Sequence, residues 1–162
     1  CQKGLAYLPQ ESSIFGDLTV SQNLYGTIQL IDKSNGDDEV KNIIEKFQLT
    51  SILDKTGRML SGGERRKTEI ARMLLTSPDL VLLDEPFSGV DPIIVEEIKR
   101  ILLNLKNDGV SILITDHNVR DTLNICDRSN ILFDGSVFMS GDKNEIIANE
   151  TIVKRYLGKT FN

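Results

Sequence analysis

The sequence predicts an α/β protein, a mostly parallel sheet with a helical subdomain inserted ahead of a strand–helix–strand unit. Three observations carry this. Two continuous apolar runs, "LVLL" (80–83) and "VSILIT" (110–115), read as strands buried on both faces. Between them lies "DPIIVEEIKRILLNLKNDG" (91–109), helical by its periodicity and its ends, so 80–115 forms a βαβ unit with parallel strands. Residues 18–75 are helical in pattern and precede that unit. The expected organisation is a core strand in 1–10, a helical subdomain in 11–77 and an α/β remainder in 78–162.

Taken in order, "LAYLPQ" (5–10) is a short strand stopped by Pro9. "LTVSQNLYGTIQLI" (18–31) is helical from the region of Ser21, and a polar turn follows at 32–38. In "DEVKNIIEKFQL" (38–49), Val40, Ile43, Ile44 and Phe47 share one helical face. The next helix opens at Ser61, where Ser-x-x-Glu (Ser61, Glu64) makes a capping box. It carries Ile70, Ala71, Leu74 and Leu75 on one face and ends at Ser77-Pro78. Helix 91–109 takes Asp91 as N-cap, Pro92 as its first residue and Gly109 as its stop. Residues 118–126 form a short helix, 131–140 a hairpin about Asp134-Gly135, and 143–157 one or two helical pieces.

Composition narrows the class. The chain has 162 residues, enough for a full domain with its own core. A net charge of −5 disfavours a dedicated nucleic-acid surface. Cys1 and Cys126 have no metal spacing and read as idle thiols. No apolar run approaches the roughly 20 residues that cross a bilayer and no signal peptide is expected, so contact with a membrane is expected only through partners. The start at Cys1, directly ahead of a strand, reads as the continuation of a longer protein.

Two stretches carry chemistry. "LSGGERRK" (60–67) sets Ser61, Gly62, Gly63 and Glu64 at a helix start, where unpaired N–H groups and the positive dipole end suit a phosphate. "LVLLDEP" delivers Asp84 and Glu85 to the C-terminal end of a strand, the edge where open α/β sheets bind ligands. One acid can hold Mg²⁺ and the other can orient or deprotonate water. His117, the only histidine, lies two residues beyond the next strand, where a neutral imidazole can contact a terminal phosphate. Gln10, ending the first strand, can offer an oxygen to Mg²⁺ and an amide to water. "GKT" (158–160) is a decoy, because a phosphate loop needs glycine five positions ahead of its lysine–glycine pair and Val153 stands there.

With these residues in view, the chain resembles the ATP-binding subunits of ABC transporters. "LSGGE" is similar to that family's signature turn, "LVLLDE" to its Walker B strand and "SGVD" (88–91) to its D-loop. "TDH" is similar to its switch histidine, and "YLPQE" to its Q-loop. Within the family, "YLPQESSIFGDLTVSQNL", "ITDHNVRDTLNICDR" and "KRYLG" most resemble the lipopolysaccharide-export group of Gram-negative bacteria, with branched-chain amino-acid importers as the nearest competitor. The family's phosphate-binding Walker A loop would precede Cys1.

The resemblance implies a P-loop NTPase-type fold, of which this is the C-terminal portion of the ABC ATPase domain. It implies ATP and Mg²⁺ as cofactors. Glu85 and His117 would be catalytic and Asp84 and Gln10 would serve the metal. Ser61, Gly62, Gly63 and Glu64 would serve the ATP of a second ATPase subunit, with Ser88 and Asp91 at the homodimer interface. Transmembrane permease subunits would be the other partners, with the ATPase peripheral on the cytoplasmic face of the inner membrane. The chain alone is expected to be inactive. A chromosome-maintenance or DNA-repair ATPase head is a rival, disfavoured by the lack of sustained heptads. A non-catalytic remnant of a split gene is another, disfavoured by the intact Asp84, Glu85 and His117.

Overall fold

A computed structural model describes residues 4–31 and 35–153. It divides into two compact units, the first ending at Thr115 and the second beginning at Asp116.

The first unit is built on a three-stranded parallel sheet. Strands β1 (Leu5–Leu8), β2 (Leu80–Asp84) and β3 (Ser111–Thr115) stand in the order β1-β2-β3. In register, Leu8 faces Leu83 and Leu83 faces Ile114, so all three strands end together at one edge. Helices α1 (Val20–Ile31), α2 (Gly36–Lys46) and α3 (Gly62–Leu74) lie between β1 and β2 in sequence, and two 3₁₀ turns, Thr50–Ile52 and Gly57–Met59, connect α2 to α3. Helix α1 packs on α2 and α3, and α3 packs on β1. Helix α4 (Pro92–Asn107) crosses from β2 to β3 and packs on β3. Asp91 caps α4 by accepting from Ile93 N at 2.8 Å, and Gly109, at φ +89°, follows its end, as the sequence predicts.

Two expectations are corrected. The runs 80–83 and 110–115 are not buried on both faces. Ala6, Leu8, Val81 and Leu83 are buried, but Leu5, Leu80 and Leu113 on the alternate face are exposed, Tyr7 and Leu113 at 56% each. Within these 162 residues the packed helices cover one face of the strands. Helix α2 also starts two residues earlier than predicted and closes at Lys46 rather than Leu49. Gln48 turns left-handed at φ +54°. Its N–H and that of Leu49 bond back to Glu45 O and Ile44 O, a C-terminal motif usually made with glycine. Val40, Phe47 and Leu49 are nonetheless all buried.

The second unit holds α5 (Val119–Ile125), a two-stranded antiparallel sheet of β4 (Ser129–Phe133) and β5 (Ser136–Gly141), and the short helices α6 (Lys143–Ala148) and α7 (Glu150–Ile152). The hairpin turns at Asp134-Gly135, both at positive φ, as predicted. Leu123, Ile146 and Ile152 form its core, with Val119, Ile131 and Met139 packed around them. The "KRYLG" and "GKT" segments and Cys1 lie outside the described residues.

Candidate functional site

The aligned ends of β1, β2 and β3 gather the acidic side of the site. Asp84, last residue of β2, accepts from Thr115 Oγ1 at 2.6 Å and from the Tyr7 hydroxyl at 3.3 Å. Thr115 ends β3 and pairs with Asp84 in register. Partial desolvation and then the Asp84 carboxylate hold the Tyr7 phenol above its ordinary pKa, so it donates as a neutral hydroxyl. Glu85 follows in a left-handed conformation at φ +44°. For a non-glycine residue that costs on the order of 1–3 kcal/mol and persists only where the surroundings impose it. Its N–H donates to Thr115 O at 2.7 Å, and its Oε2 accepts from Gln10 Nε2 at 2.7 Å. The structure therefore brings Gln10, Asp84 and Glu85 to one sheet edge.

The Glu85 turn is also held by a residue that sequence reasoning passed over. Arg66, on α3 and only 6% exposed, donates to the backbone oxygens of Asp84 (3.0 Å), Glu85 (3.2 Å) and Pro86 (3.3 Å). It also donates to Pro9 O at 3.0 Å and pairs with Glu69 at 3.3 Å. Glu69, 3% exposed, in turn accepts from Ser12 Oγ at 2.7 Å and Ser13 N at 2.9 Å. The segment 9–13 and the turn 84–86 are thus tied to the same helix. The available signal was spacing, because Arg66 and Glu69 sit with Ile70 and Met73 at i, i+3, i+4 and i+7, in the buried stripe of α3.

The start of α3 is the second half of the site. Ser61 Oγ accepts from Glu64 N at 3.3 Å and Glu64 Oε2 accepts from Ser61 N at 2.8 Å, completing the predicted capping box. Lys55 Nζ donates to the other Glu64 oxygen at 2.8 Å. The bond from Lys55, followed by that from the Ser61 backbone, lowers the Glu64 pKa below its ordinary value. Ser61 and Gly62 are exposed, whereas Gly63 is buried. A Cβ on Gly63 would lie 2.7 Å from Ile94 Cγ1, and one on Gly62 would lie 3.4 Å from Gly89 O. The glycine turn therefore packs on the first turn of α4 and on the segment that joins β2 to it. Ser88 and Asp91 in that segment are both exposed, and Ser88 N donates to Glu85 O at 3.2 Å.

His117 opens the second unit and is described by its own neighbours. Its ring is 71% exposed, with Nδ1 4.0 Å from Asp116 Oδ1, which also accepts from Asn118 N at 2.7 Å.

The donor set suits a hard cation. No group of three His, Cys, Asp or Glu forms a metal cluster among the described residues. Mg²⁺ does not need one, since it keeps waters and takes one or two carboxylates beside substrate phosphates. Each Asp84 oxygen accepts one hydroxyl and keeps a lone pair, and Gln10 keeps its Oε1, so hard oxygens remain at the strand ends. Among the described residues no helix is long and apolar enough to cross a membrane.

Comparison with known proteins bears on the family and the fold. A family model described as ABC transporter matches residues 1–88. The lipopolysaccharide export system ATP-binding protein LptB of Haemophilus influenzae is 44% identical over 163 residues, covering 99% of this chain and 68% of that protein. LptB of Escherichia coli K12 is 45% identical over the same shares. Among solved structures, the ADP conformation of MJ1267, an ATP-binding cassette of an ABC transporter, superposes with a TM-score of 0.79 at 27% identity, over 98% of this chain and 70% of that one. CbiO1 of Clostridium perfringens, part of the ABC transporter complex cbiONQ, gives 0.80 at 25% identity, over 99% and 65%.

Proposed function

Because this chain belongs to the ABC transporter family of ATP-binding subunits, and is 44% and 45% identical to two LptB proteins of that family, we propose that it serves as the ATPase subunit that powers lipopolysaccharide export. The observation that carries the reading is the Gln10–Glu85 bond of 2.7 Å beside Asp84, at the C-terminal ends of adjacent parallel strands. Glu85 is the residue that orients and deprotonates the attacking water, and Gln10 fixes its carboxylate. Asp84, with the Gln10 oxygen, serves Mg²⁺, which when bound neutralises charge developing on the phosphates. His117 contacts the terminal phosphate.

Ser61, Gly62 and Gly63 face the ATP of a second, identical subunit, with Glu64 holding their turn and Ser88 and Asp91 lying at the interface. The helices of 11–77 form the subdomain that receives transmembrane permease subunits. The subunit works on the cytoplasmic face of the inner membrane and meets the bilayer through those partners. The 162 residues contain no G-x-x-x-x-G-K-S/T, so the chain by itself is expected to turn over no ATP.

The test is Glu85→Gln in a complete subunit that carries such a loop. Loss of a general base lowers turnover by about 10²–10⁴. The near-isosteric amide should leave ATP binding intact and the ATP-bound dimer long-lived on size-exclusion chromatography. Undiminished turnover would remove Glu85 from its role.

A further inference from the structure

We propose that the buried pair Arg66–Glu69 is a positioning device. It holds the backbone turn that carries Glu85 and so sets that carboxylate for the attacking water. The inference rests on the ATPase reading given above and adds two positioning residues to it.

The geometry leaves the pair little other purpose. A buried ion pair is weak evidence for stability, because desolvating both charges offsets their attraction. This one is spent on backbone. Four of the Arg66 contacts are carbonyl oxygens, Pro9 on one side and Asp84, Glu85 and Pro86 on the other. Three consecutive carbonyls converging on one guanidinium fix the peptide planes on both sides of Glu85, the residue at φ +44°. Glu69 completes the connection from the opposite end. It neutralises Arg66 and holds the Ser12 hydroxyl and the Ser13 N–H, both in the segment that follows Gln10. Glu69 thus holds segment 9–13 while Arg66 holds the carbonyls that shape the turn. Gln10, which grips the Glu85 carboxylate directly, lies in the same segment. The backbone and the side chain of Glu85 are therefore both referred to one stretch of chain.

Glu69→Gln separates this role from simple structure. It keeps volume and its one oxygen for Ser12 and Ser13, but turns an NH₂ toward Arg66. In the complete subunit with its permease partners, turnover should fall at least tenfold while the dissociation constant for ATP changes less than twofold. In a Glu85→Gln background, adding Glu69→Gln should lower turnover no further, since the positioned group is already gone. Arg66→Lys, which keeps the charge but cannot span four carbonyls, should reproduce both results. Turnover within twofold of the parent would overturn the inference. So would a loss of ATP affinity equal to the loss of turnover, or independent multiplication of the two defects. An inactive parent subunit would instead count against the ATPase reading itself.

Discussion

The two glycines of "LSGGE" carry different burdens, and alanine at each should separate them. Gly63 is buried, and a Cβ there would sit 2.7 Å from Ile94 Cγ1 and 2.9 Å from Cγ2. Both atoms hang from a β-branched carbon in the first turn of α4, where the side chain has little rotameric freedom. Overpacking of this kind costs about 1–3 kcal/mol. Replacing glycine in a helix returns up to about 1 kcal/mol. Taken at mid-range, the two leave a net loss of about 1.5 kcal/mol for Gly63→Ala, and at ~2–4 °C per kcal/mol for a chain of this size it is readable in a melt. In an Ile94→Ala background the clash is absent, so the same substitution should become neutral or stabilising. Gly62→Ala meets only Gly89 O at 3.4 Å, an acceptable approach, and should hold or raise the melting midpoint. Its exposed position faces the proposed phosphate, so it is the variant expected to lower turnover in the complete subunit. Thermal melts of the four variants, with turnover on the same preparations, make the test. A Gly63→Ala protein as stable as its parent, or a penalty that survives Ile94→Ala, would refute the packing argument.

Two further outcomes follow from the caps. Glu64 has its folded pKa depressed, so its stabilisation is present above the ordinary value of 4.5 and is lost as pH falls through the lower folded value. The midpoint gap between parent and Glu64→Gln should therefore be steady at neutral pH and shrink below about pH 4.5, and a gap constant to low pH would contradict the Lys55 and Ser61 bonds as its source. Asp91→Ala should cost about 1 kcal/mol by loss of the cap to Ile93 N, whereas Asp91→Asn keeps the cap. If Asp91 also serves the subunit interface, Asp91→Asn should lower turnover at unchanged midpoint, and unchanged turnover would confine Asp91 to capping.

The parts of the fold legible in the sequence are those written in local signals. Ser61 and Glu64 announce a helix start, Asp91-Pro92 another and Asp134-Gly135 a hairpin, and each is where it was expected because its determinants lie within a few residues. Helix α2 ran past its true end in the sequence reading because Gln48 takes a position that glycine usually marks. Burial of the sheet failed differently. The runs 80–83 and 110–115 give composition but not which faces are covered, and that depends on how many layers stack on the strands.

The site divides along the same line. Asp84, Glu85 and Gln10 were legible because a strand end fixes where its last residues point, and the parallel register then sets them side by side. Arg66 and Glu69 were not, because "GERRK" reads as a solvated basic helix start and an i, i+3 ion pair is ordinary on a helix surface. The pair becomes informative only when its stripe is counted, since residues 66, 69, 70 and 73 face inward together and two of the four are charged. Charge on a buried stripe needs a partner at every polar atom. Here the partners of Arg66, apart from Glu69, are backbone oxygens at positions 9 and 84–86. Backbone oxygens carry no side-chain signature, so no motif could reveal them. The proposed positioning of Glu85 would therefore not depend on the side chains at neighbouring positions, since what the pair holds is the path of the chain through the turn.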